Sequence, residues 1–180
     1  MDEQYVEANR VEDLYKYEIL DTPADGYFDE VTSLATKIFN VPIAIVTLVD
    51  TDRIWFKSAF GLDVEEIPRS PGLCSSAILS DDIYIVEDAR KDPRTLSNPL
   101  VAGIIGLQFY AAAPLRSISG YKLGTLCLID KHPRRLNAKE SNMLMQLSRM
   151  VMGQFEIKLQ SRLVIKAMKD KFEKNLNNLK

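Results

Sequence analysis

Apolar positions in the middle of the chain form short runs separated by polar or glycine-containing breaks. Five such runs, rich in β-branched, aromatic or small apolar residues and too short for helices, occupy residues 43–50, 53–60, 83–87, 109–115 and 122–130. Runs of this length and composition predict β-strands. The turn at Thr51 and Asp52 predicts a hairpin from the first two runs, and the break ending at Gly120 predicts a second hairpin from the last two.

The second hairpin carries side chains that are small for a buried sheet, namely Ala111, Ala112, Ala113, Gly124 and Thr125. Small residues leave room above a sheet, so we expect another group to pack closely there. A helix packed directly on these residues and a ligand cavity above them are both compatible with the pattern.

Two helices are predicted before the first strand. Residues 5–19 predict a short helix whose candidate buried positions are Val6, Leu14 and Tyr17. Thr22 and Pro23 predict the N-cap and first turn of a second helix. Its apolar residues recur at helical spacing at Phe28, Val31, Leu34, Ala35 and Ile38.

Two long irregular connections flank the third strand, at residues 62–80 and 88–105. They are dense in proline, serine, aspartate and glycine, which is typical of surface connections. Within them we predict a helical turn over residues 74–79 and a short helix from Pro99 to Ile104.

The chain from Ala138 onward is compatible with helix throughout. Roughly forty residues of helix would extend ~60 Å, which is longer than a compact domain of this size, so part of the helix is expected to protrude. A three-four spacing predicts a parallel coiled coil, and the helix is expected to continue towards an output domain outside this sequence. That spacing runs through Leu144, Leu147, Val151, Gln154, Lys158, Ser161, Ile165, Met168, Phe172, Asn175 and Leu179.

Composition bounds the class of protein. The 180 residues, 46% hydrophobic and 27% charged, suit one globular domain and exclude disordered and collagen-like classes. No apolar run is long enough to cross a bilayer. The acidic start, MDEQYVEANR, differs from a signal peptide, so we expect a protein that stays in the cytoplasm.

The net charge of -2 results from an acidic N-terminal end and a basic C-terminal end of the chain. Residues 1–30 carry ten acidic and two basic side chains, whereas residues 157–180 carry seven basic and two acidic ones. We expect the two ends to attract each other. The basic residues are scattered along a helix without interleaved aromatic residues, so no nucleic-acid partner is expected.

Few residues could carry nucleophilic or metal chemistry. Cys74 and Cys127 are the only cysteines and have no CxxC spacing, so reduced thiols are expected and a thiolate zinc site is not. His132 is the only histidine, and its HPRR context predicts a surface turn. Catalysis of the Ser-His or Cys-His type would need His132 at the site.

Four segments, taken in order across residues 19–130, resemble the GAF domain family, small-molecule-binding modules common in bacterial signalling proteins. They are LDTPADGYFDEVTSLATKIFNVPIAIVTLVDTDRIWFKSAFGL, LCSSAIL, IYIVEDARKDPRTLSNPLV and FYAAAPLRSISGYKLGTLCLID. The resemblance implies an α+β fold, with a GAF/PAS-like central antiparallel sheet of five to six strands, helices packed on one face and a long C-terminal signalling helix. It also implies a ligand cavity on the other face, roofed by residues 62–79 and 88–105.

This resemblance divides the chain into an N-terminal helix (1–20), a GAF core (21–137) and a helix that completes the helical layer and continues as a coiled-coil linker (138–180). One departure from the family is informative. Where close relatives often show Phe-Cys-x-His, this chain has Leu73, Cys74, Ser75 and Ser76.

The missing histidine limits the expected cofactors. Serine neither titrates near neutral pH nor binds soft metals well, so Ser76 makes a haem, metal or proton-transfer role doubtful. Bilin-binding members attach the chromophore through a cysteine followed by histidine, so covalent bilin is not expected at Cys74. The asparagine-lysine-phenylalanine-aspartate signature of cyclic-nucleotide-binding members is absent, which disfavours that ligand. The cofactor stays unidentified.

The residues predicted to bind the ligand are Trp55, Cys74, Ser75, Ser76, Asp88, Tyr110, Thr125 and Cys127. For each of them a purely structural role is an open alternative. Four arginines are expected to hold the roof connections through carboxylates such as Asp63, Asp88 and Asp92. These are Arg53, Arg69, Arg90 and Arg94.

Together these features predict a non-enzymatic sensory domain that dimerises through its terminal helices. It would relay a ligand- or redox-dependent change to an output domain such as a two-component histidine kinase, a cyclase or a phosphodiesterase. Two alternatives remain open. One is a cysteine-based redox enzyme of the free methionine sulfoxide reductase type, acting through Cys74. The other is a dimerisation module that binds no ligand.

Overall fold

A computed structural model describes residues 3–95, 101 and 106–177. Its helices are α1 (Glu3–Lys16), α2 (Gly26–Phe39), α3 (Leu73–Ala77) and α4 (Ala138–Asn177). Its strands are β1 (Ile43–Val49), β2 (Arg53–Phe60), β3 (Glu66–Pro68), β4 (Tyr84–Val86), β5 (Phe109–Arg116) and β6 (Lys122–Asp130).

The strands form one antiparallel sheet in the order β3-β2-β1-β6-β5-β4. The predicted fold class and both predicted hairpins are confirmed. The predicted bounds of the long strands agree with the structure to within one residue. The edge strand β3 was missed, because three residues with an internal glutamate and a terminal proline show no strand periodicity. The predicted helix at residues 99–104 lies outside the described residues, apart from Val101.

Alternate residues of each strand pack on opposite faces of this sheet. The face covered by α1, α2 and α4, called here the helix side, buries Phe28, Trp55, Phe109, Leu128 and Phe155 among others. The opposite face, called the roof side, is covered by α3 and the neighbouring connections. Its core includes Ile45, Phe56, Cys74, Tyr110 and Cys127.

The small residues of the β5–β6 hairpin serve both faces. Ala111 and Ala113 belong to the helix-side core, whereas Ala112 belongs to the roof-side core. Gly124 allows a close backbone approach, because a Cβ there would lie 1.9 Å from the carbonyl oxygen of Thr47. Direct packing of helices therefore accounts for Ala111 and Ala113.

The N-terminal helices differ in detail from the prediction. Helix α1 ends at Lys16, and Glu18 follows with a left-handed φ of 45°. Helix α2 starts at Gly26 with Asp25 as its N-cap, the side chain accepting from the amide of Tyr27. The prediction of Thr22 as the cap was wrong, because its hydroxyl donates to the carbonyl of Ile19 instead.

Burial on these helices follows the prediction in part. Leu14, Tyr17, Phe28, Val31 and Ala35 are buried as predicted, but Val6, Leu34 and Ile38 are exposed. Helical spacing alone does not distinguish the centre of a buried stripe from its edge.

Helix α4 changes environment along its length. Its first half is buried against the sheet at Leu144, Leu147, Val151 and Phe155, whereas its second half exposes Met168 and Phe172. The predicted attraction between the chain ends is confirmed where the two halves meet. Lys158 pairs with Asp25 at 2.5 Å, and the guanidinium of Arg162 donates to the carbonyls of Tyr17 and Glu18. Within the described ranges, no helix combines the length and the apolarity needed to cross a bilayer.

Candidate functional site

A small cavity of about 30 Å³ lies on the roof side, between α3 and the centre of the sheet. This volume is enough for a water-sized molecule. The cavity is lined by Ile45, Thr47, Phe56, Leu62, Ile67, Leu73, Cys74, Leu107, Tyr110, Cys127 and Ile129.

The floor of the cavity follows from strand alternation. Ile45 and Thr47 are two residues apart on β1, and Cys127 and Ile129 are two residues apart on β6, so all four side chains point to the same face. Ile45 is the register partner of Cys127, which places the two side by side. These four side chains therefore form the part of the cavity floor that β1 and β6 supply.

Hydroxyls and thiols line an otherwise apolar site. The Tyr110 hydroxyl donates to Cys74 Sγ at 3.1 Å. Beneath it, the hydroxyls of Thr47 and Thr125 are 2.9 Å apart. Tyr110, Thr47 and Thr125 are each no more than 2% exposed, so these hydrogen bonds are shielded from water.

The two thiols, Cys74 and Cys127, are free and buried and have different acidities. Hydrogen bonding from Cys127, then from Tyr110, lowers the pKa of Cys74 to about 6 against the opposing effect of burial. The hydrogen bond to Cys74, together with burial, raises the pKa of Cys127 well above its usual range. If one thiol of the pair ionises, it is Cys74. A thiolate is the reactive form of cysteine.

Four of the eight predicted ligand-binding residues come together at this site. Cys74, Tyr110 and Cys127 line the cavity, and Thr125 lies beneath it, since its hydroxyl is a hydrogen-bonding neighbour of Cys74. Cys74 reaches the site from α3 in the roof, and the others reach it from β5 and β6 in the floor.

The other four residues lie elsewhere. Trp55 packs in the helix-side core, because its register partner Leu48 also faces the helices. Ser75 donates to the carbonyl of Arg69 at 2.9 Å, and Ser76 is exposed on the outer side of α3. Asp88 caps its own loop by accepting from the amide of Arg90. The expectation that these side chains face the roofed cavity was therefore wrong in position, since strand parity and helix orientation were not fixed by the sequence.

Thr47 also lines the cavity; it was not among the predicted residues, although β1 carried a signal for it. Thr47 is the one polar side chain in the buried run from Ile43 to Val49. A buried hydroxyl needs a hydrogen-bond partner, and Thr125 on β6 supplies it.

Arg69 links the roof to the N-terminal helix. Its guanidinium donates to Glu7 on α1 at 2.7 Å and to the carbonyl of Asp50 at 2.9 Å. Its own carbonyl accepts from Ser75, the residue after Cys74. Arg69 therefore contacts both α3 and α1.

Tyr17, the residue that follows α1, contacts α4. The Tyr17 hydroxyl donates to Glu156 at 2.5 Å. Burial, followed by this hydrogen bond to a carboxylate, raises the pKa of Tyr17, so the tyrosine stays a neutral donor. Cavity, roof, α1 and α4 form one connected set of contacts.

The other arginines hold the connections largely as predicted. Arg90 pairs with Asp88 and Arg94 with Asp92, and Arg94 also stacks over the ring of Tyr84 at 4.6 Å. Arg53 instead binds Asp21, Asp50 and Glu66. Within the part of the chain that the structure describes, no group of three or more His, Cys, Asp or Glu side chains could hold a metal ion.

Comparison with known proteins identifies a relative that is named as an enzyme of cyclic di-GMP signalling. A cyclic di-GMP phosphodiesterase of Pseudomonas aeruginosa is 40% identical over 136 residues, which are 75% of this chain. The chain spans 23% of the length of that relative, so most of the relative has no counterpart here.

Solved structures share the fold at low sequence identity. A free methionine-R-sulfoxide reductase from Neisseria meningitidis has a TM-score of 0.63 and 18% identity, covering 81% of this chain and 87% of that one. The GAF domain of an Acinetobacter phosphoenolpyruvate-protein phosphotransferase has a TM-score of 0.61 and 17% identity, covering 87% and 95%. The sequence profile of the GAF domain matches residues 24–155, and the chain belongs to the GAF domain family.

Proposed function

We propose that this chain is a regulatory GAF domain that senses a small uncharged molecule in the roof-side cavity and relays the change through its helices. The observation that carries the proposal is the small apolar cavity between Cys74 on the roof and Tyr110 and Cys127 on the floor. Ligand sites are concave and largely apolar, with few polar groups that fix orientation. This cavity has that composition.

The lining argues for an uncharged ligand. Among the described residues, every side chain at the cavity is apolar or carries only a hydroxyl or thiol. A phosphate or carboxylate there would be desolvated without a cationic partner, which is costly. A nucleotide, including the substrate class named for the Pseudomonas relative, is therefore a poor fit for this cavity.

Because the cavity is small, a ligand larger than water can bind there only if the roof moves. About 30 Å³ admits only a water-sized molecule, so a larger ligand binds only if α3 and its connections shift outward. A ligand that binds the displaced arrangement better would change the populations of the two arrangements. Arg69 and Tyr17 supply the contacts through which that shift would bias α1 and α4.

Native mass spectrometry and thermal shift of the purified chain against a panel of small apolar, carboxylate and nucleotide compounds test the ligand proposal. We expect stabilisation by a compound of the apolar class. Ile67→Phe, which fills the cavity from edge strand β3, should abolish it. Ile85→Phe, on edge strand β4 and packed towards the helix side, should not. Binding that survives Ile67→Phe contradicts sensing at this site, whereas a panel with no binder favours a ligand-free dimerisation module.

The exposed second half of α4 supports dimerisation. Ile165, Met168 and Phe172 are 52%, 67% and 66% exposed and follow the four-three spacing of a coiled-coil seam. Leu163 is also 51% exposed but lies off this seam. Light scattering should show a dimer that Ile165→Asp dissociates and Leu163→Asp preserves. A monomeric wild type at micromolar concentration would remove the support for a helical relay.

A regulatory role is favoured over reductase catalysis. Cys74 and Cys127 are 5% and 1% exposed, and a substrate as large as methionine sulfoxide does not fit the cavity as it stands. Turnover of free methionine sulfoxide that disappears in Cys74→Ser would show the opposite. The catalytic output, whether kinase, cyclase or phosphodiesterase, is assigned to sequence beyond this domain.

A further inference from the structure

We propose that Cys74 and Cys127 form an oxidation site at which a hydroperoxide produces a disulfide between the roof helix and the sheet. This inference deepens the proposed function, since it names a regulation of the same cavity. Its test is independent of whether the cavity also binds an organic ligand.

The two cysteines lie on opposite sides of one cavity. Cys74 lies on α3 in the roof and Cys127 lies on β6 in the floor, yet both line one cavity. Both are free thiols, and both are buried in the same roof-side core. A bond between these two sulfurs would join the roof helix α3 to the sheet.

Cys74 accepts a hydrogen bond from a buried tyrosine. A cysteine that merely fills a core needs no polar partner. Here the buried Tyr110 hydroxyl donates its one proton to Cys74 Sγ at 3.1 Å. This donor stabilises a thiolate, in agreement with the lowered pKa of Cys74, and a thiolate is the form that peroxides oxidise.

The cavity has room for a small oxidant beside the two sulfurs. The cavity beside the two sulfurs is large enough for a water-sized molecule, and hydrogen peroxide is only slightly larger than water. Bulky oxidants and bulky alkylating reagents do not fit. The site therefore selects for the smallest hydroperoxides.

The chemistry balances with the peroxide as the only oxidant. The Cys74 thiolate attacks one peroxide oxygen, so an S–O bond forms and the O–O bond breaks. The departing hydroxide takes up the proton that Cys74 had released. The Cys127 sulfur then attacks the Cys74 sulfenic acid, so an S–S bond forms, the S–O bond breaks and water leaves with the Cys127 proton. The two thiols lose two electrons, and one peroxide becomes two waters.

The structural consequence follows from bond length. A disulfide is about 2.0 Å long, much shorter than a contact between free thiols, so its formation draws α3 towards β6. Ser75 and Arg69 connect that helix to Glu7 on α1. Oxidation would thus hold the roof closed and act on α1 through Arg69.

The test treats the folded, reduced chain with hydrogen peroxide, stops the reaction with acid, and alkylates under denaturing conditions before intact and peptide mass spectrometry. We expect a product two hydrogen atoms lighter, with neither cysteine alkylated, a peptide joining Cys74 to Cys127, and full reversal by dithiothreitol. Cys74→Ser and Cys127→Ser should each give no internal disulfide. If either fails to fold, Cys74→Ala and Cys127→Ala replace them.

A matched pair of tyrosine variants tests the geometry. Tyr110→Phe removes the donor to Cys74 and should slow disulfide formation at neutral pH by about threefold or more. Tyr84→Phe changes the neighbouring ring, 6.2 Å away, and should leave the rate unchanged. Complete alkylation of both cysteines after peroxide, a disulfide only between two chains, or equal rates in the two variants overturns the proposal. Ligand binding by the reduced protein is measured separately and decides only the sensing proposal.

Discussion

The two faces of the sheet are formed by the same strands but are covered very differently. On the helix side, three helices bury large side chains, and the rings of Phe28 and Phe155 lie 4.7 Å apart. On the roof side, a five-residue helix and irregular connections cover the strands and leave a cavity of about 30 Å³. One face is filled by helices, and the other is filled only in part.

This difference separates stability from chemistry. Dense packing on the helix side resists changes of volume, whereas the roof side contains the hydroxyls, the thiols and the free space. Because successive residues of a strand face opposite sides, the two faces can change independently in sequence. Substitutions on each face should therefore have different kinds of effect.

The largest expected effect is a cavity made on the helix side. Phe155→Ala removes a ring that is 1% exposed and should lower the free energy of unfolding by about 3–5 kcal/mol. Cys127→Ala on the roof side removes one atom beside existing free space and should cost about 1 kcal/mol. Urea denaturation under reducing conditions measures both. Equal losses would show that the two faces are packed alike.

Arg69 tests the connection between the roof and α1. Arg69→Met removes its hydrogen bonds to Glu7, Asp50 and Thr51 and should destabilise by about 2 kcal/mol, since bonds to charged groups are among the stronger ones. Amide exchange in α1 should rise. Arg90→Met is the control, because Arg90 is exposed and pairs within its own loop, and it should change stability by less than about 0.5 kcal/mol. Unchanged exchange in α1 would contradict the relay through Arg69.

The sheet was predictable because periodicity is a local property. The runs at residues 43–50, 53–60 and 122–130 have the length and β-branched composition of buried strands, and these strands form as predicted. The cap of α2 was not predictable in the same way. Thr22 and Asp25 are both good caps. The Thr22 hydroxyl is occupied by a local bond to the carbonyl of Ile19 and by a tertiary contact with the buried Lys57.

The site was predictable only where strand parity and burial agreed. Cys74, Tyr110, Thr125 and Cys127 are apolar or weakly polar residues in or beside apolar runs. Cys74, Tyr110 and Cys127 line the cavity, and Thr125 lies beneath it. Trp55 sits in an equally apolar run but on the other face. Deciding its face requires the register with β1, which contains a bulge between Val46 and Thr47 that no sequence pattern indicates.

The threonine pair gives a smaller effect that is specific to the roof side. Thr47→Val keeps the shape but leaves the buried Thr125 hydroxyl without the Thr47 oxygen 2.9 Å away, so we expect a loss of about 1–2 kcal/mol. The double variant with Thr125→Val removes both hydroxyls and should cost less than the sum of the single changes. A double-mutant cycle by urea denaturation measures this coupling. Strict additivity would show that the two hydroxyls do not interact.

The smallest expected effect concerns the N-terminal helix at acidic pH. Burial opposes ionisation of Glu7, but hydrogen bonds from Arg10 and Arg69 outweigh it and lower the pKa to about 2 from 4.5. The stabilisation is therefore complete above about pH 4.5 and is lost as the pH falls towards 2. Because Glu7 is partly exposed, we expect it to contribute less than about 1 kcal/mol.

Glu7→Gln measures this contribution, since the amide keeps the size and loses the charge. The stability difference between wild type and Glu7→Gln should be greatest at pH 6 and should shrink progressively between pH 4.5 and the acid limit, because protonated Glu7 resembles the amide. Glu12→Gln, on the same helix with an exposed side chain, is the control and should follow the wild type closely. A difference that stays constant with pH would mean that shape, and not charge, connects Glu7 to Arg69. In that case the tie between roof and helix would persist in acid, and the cavity would keep its connection to α1 at every pH at which the domain is folded.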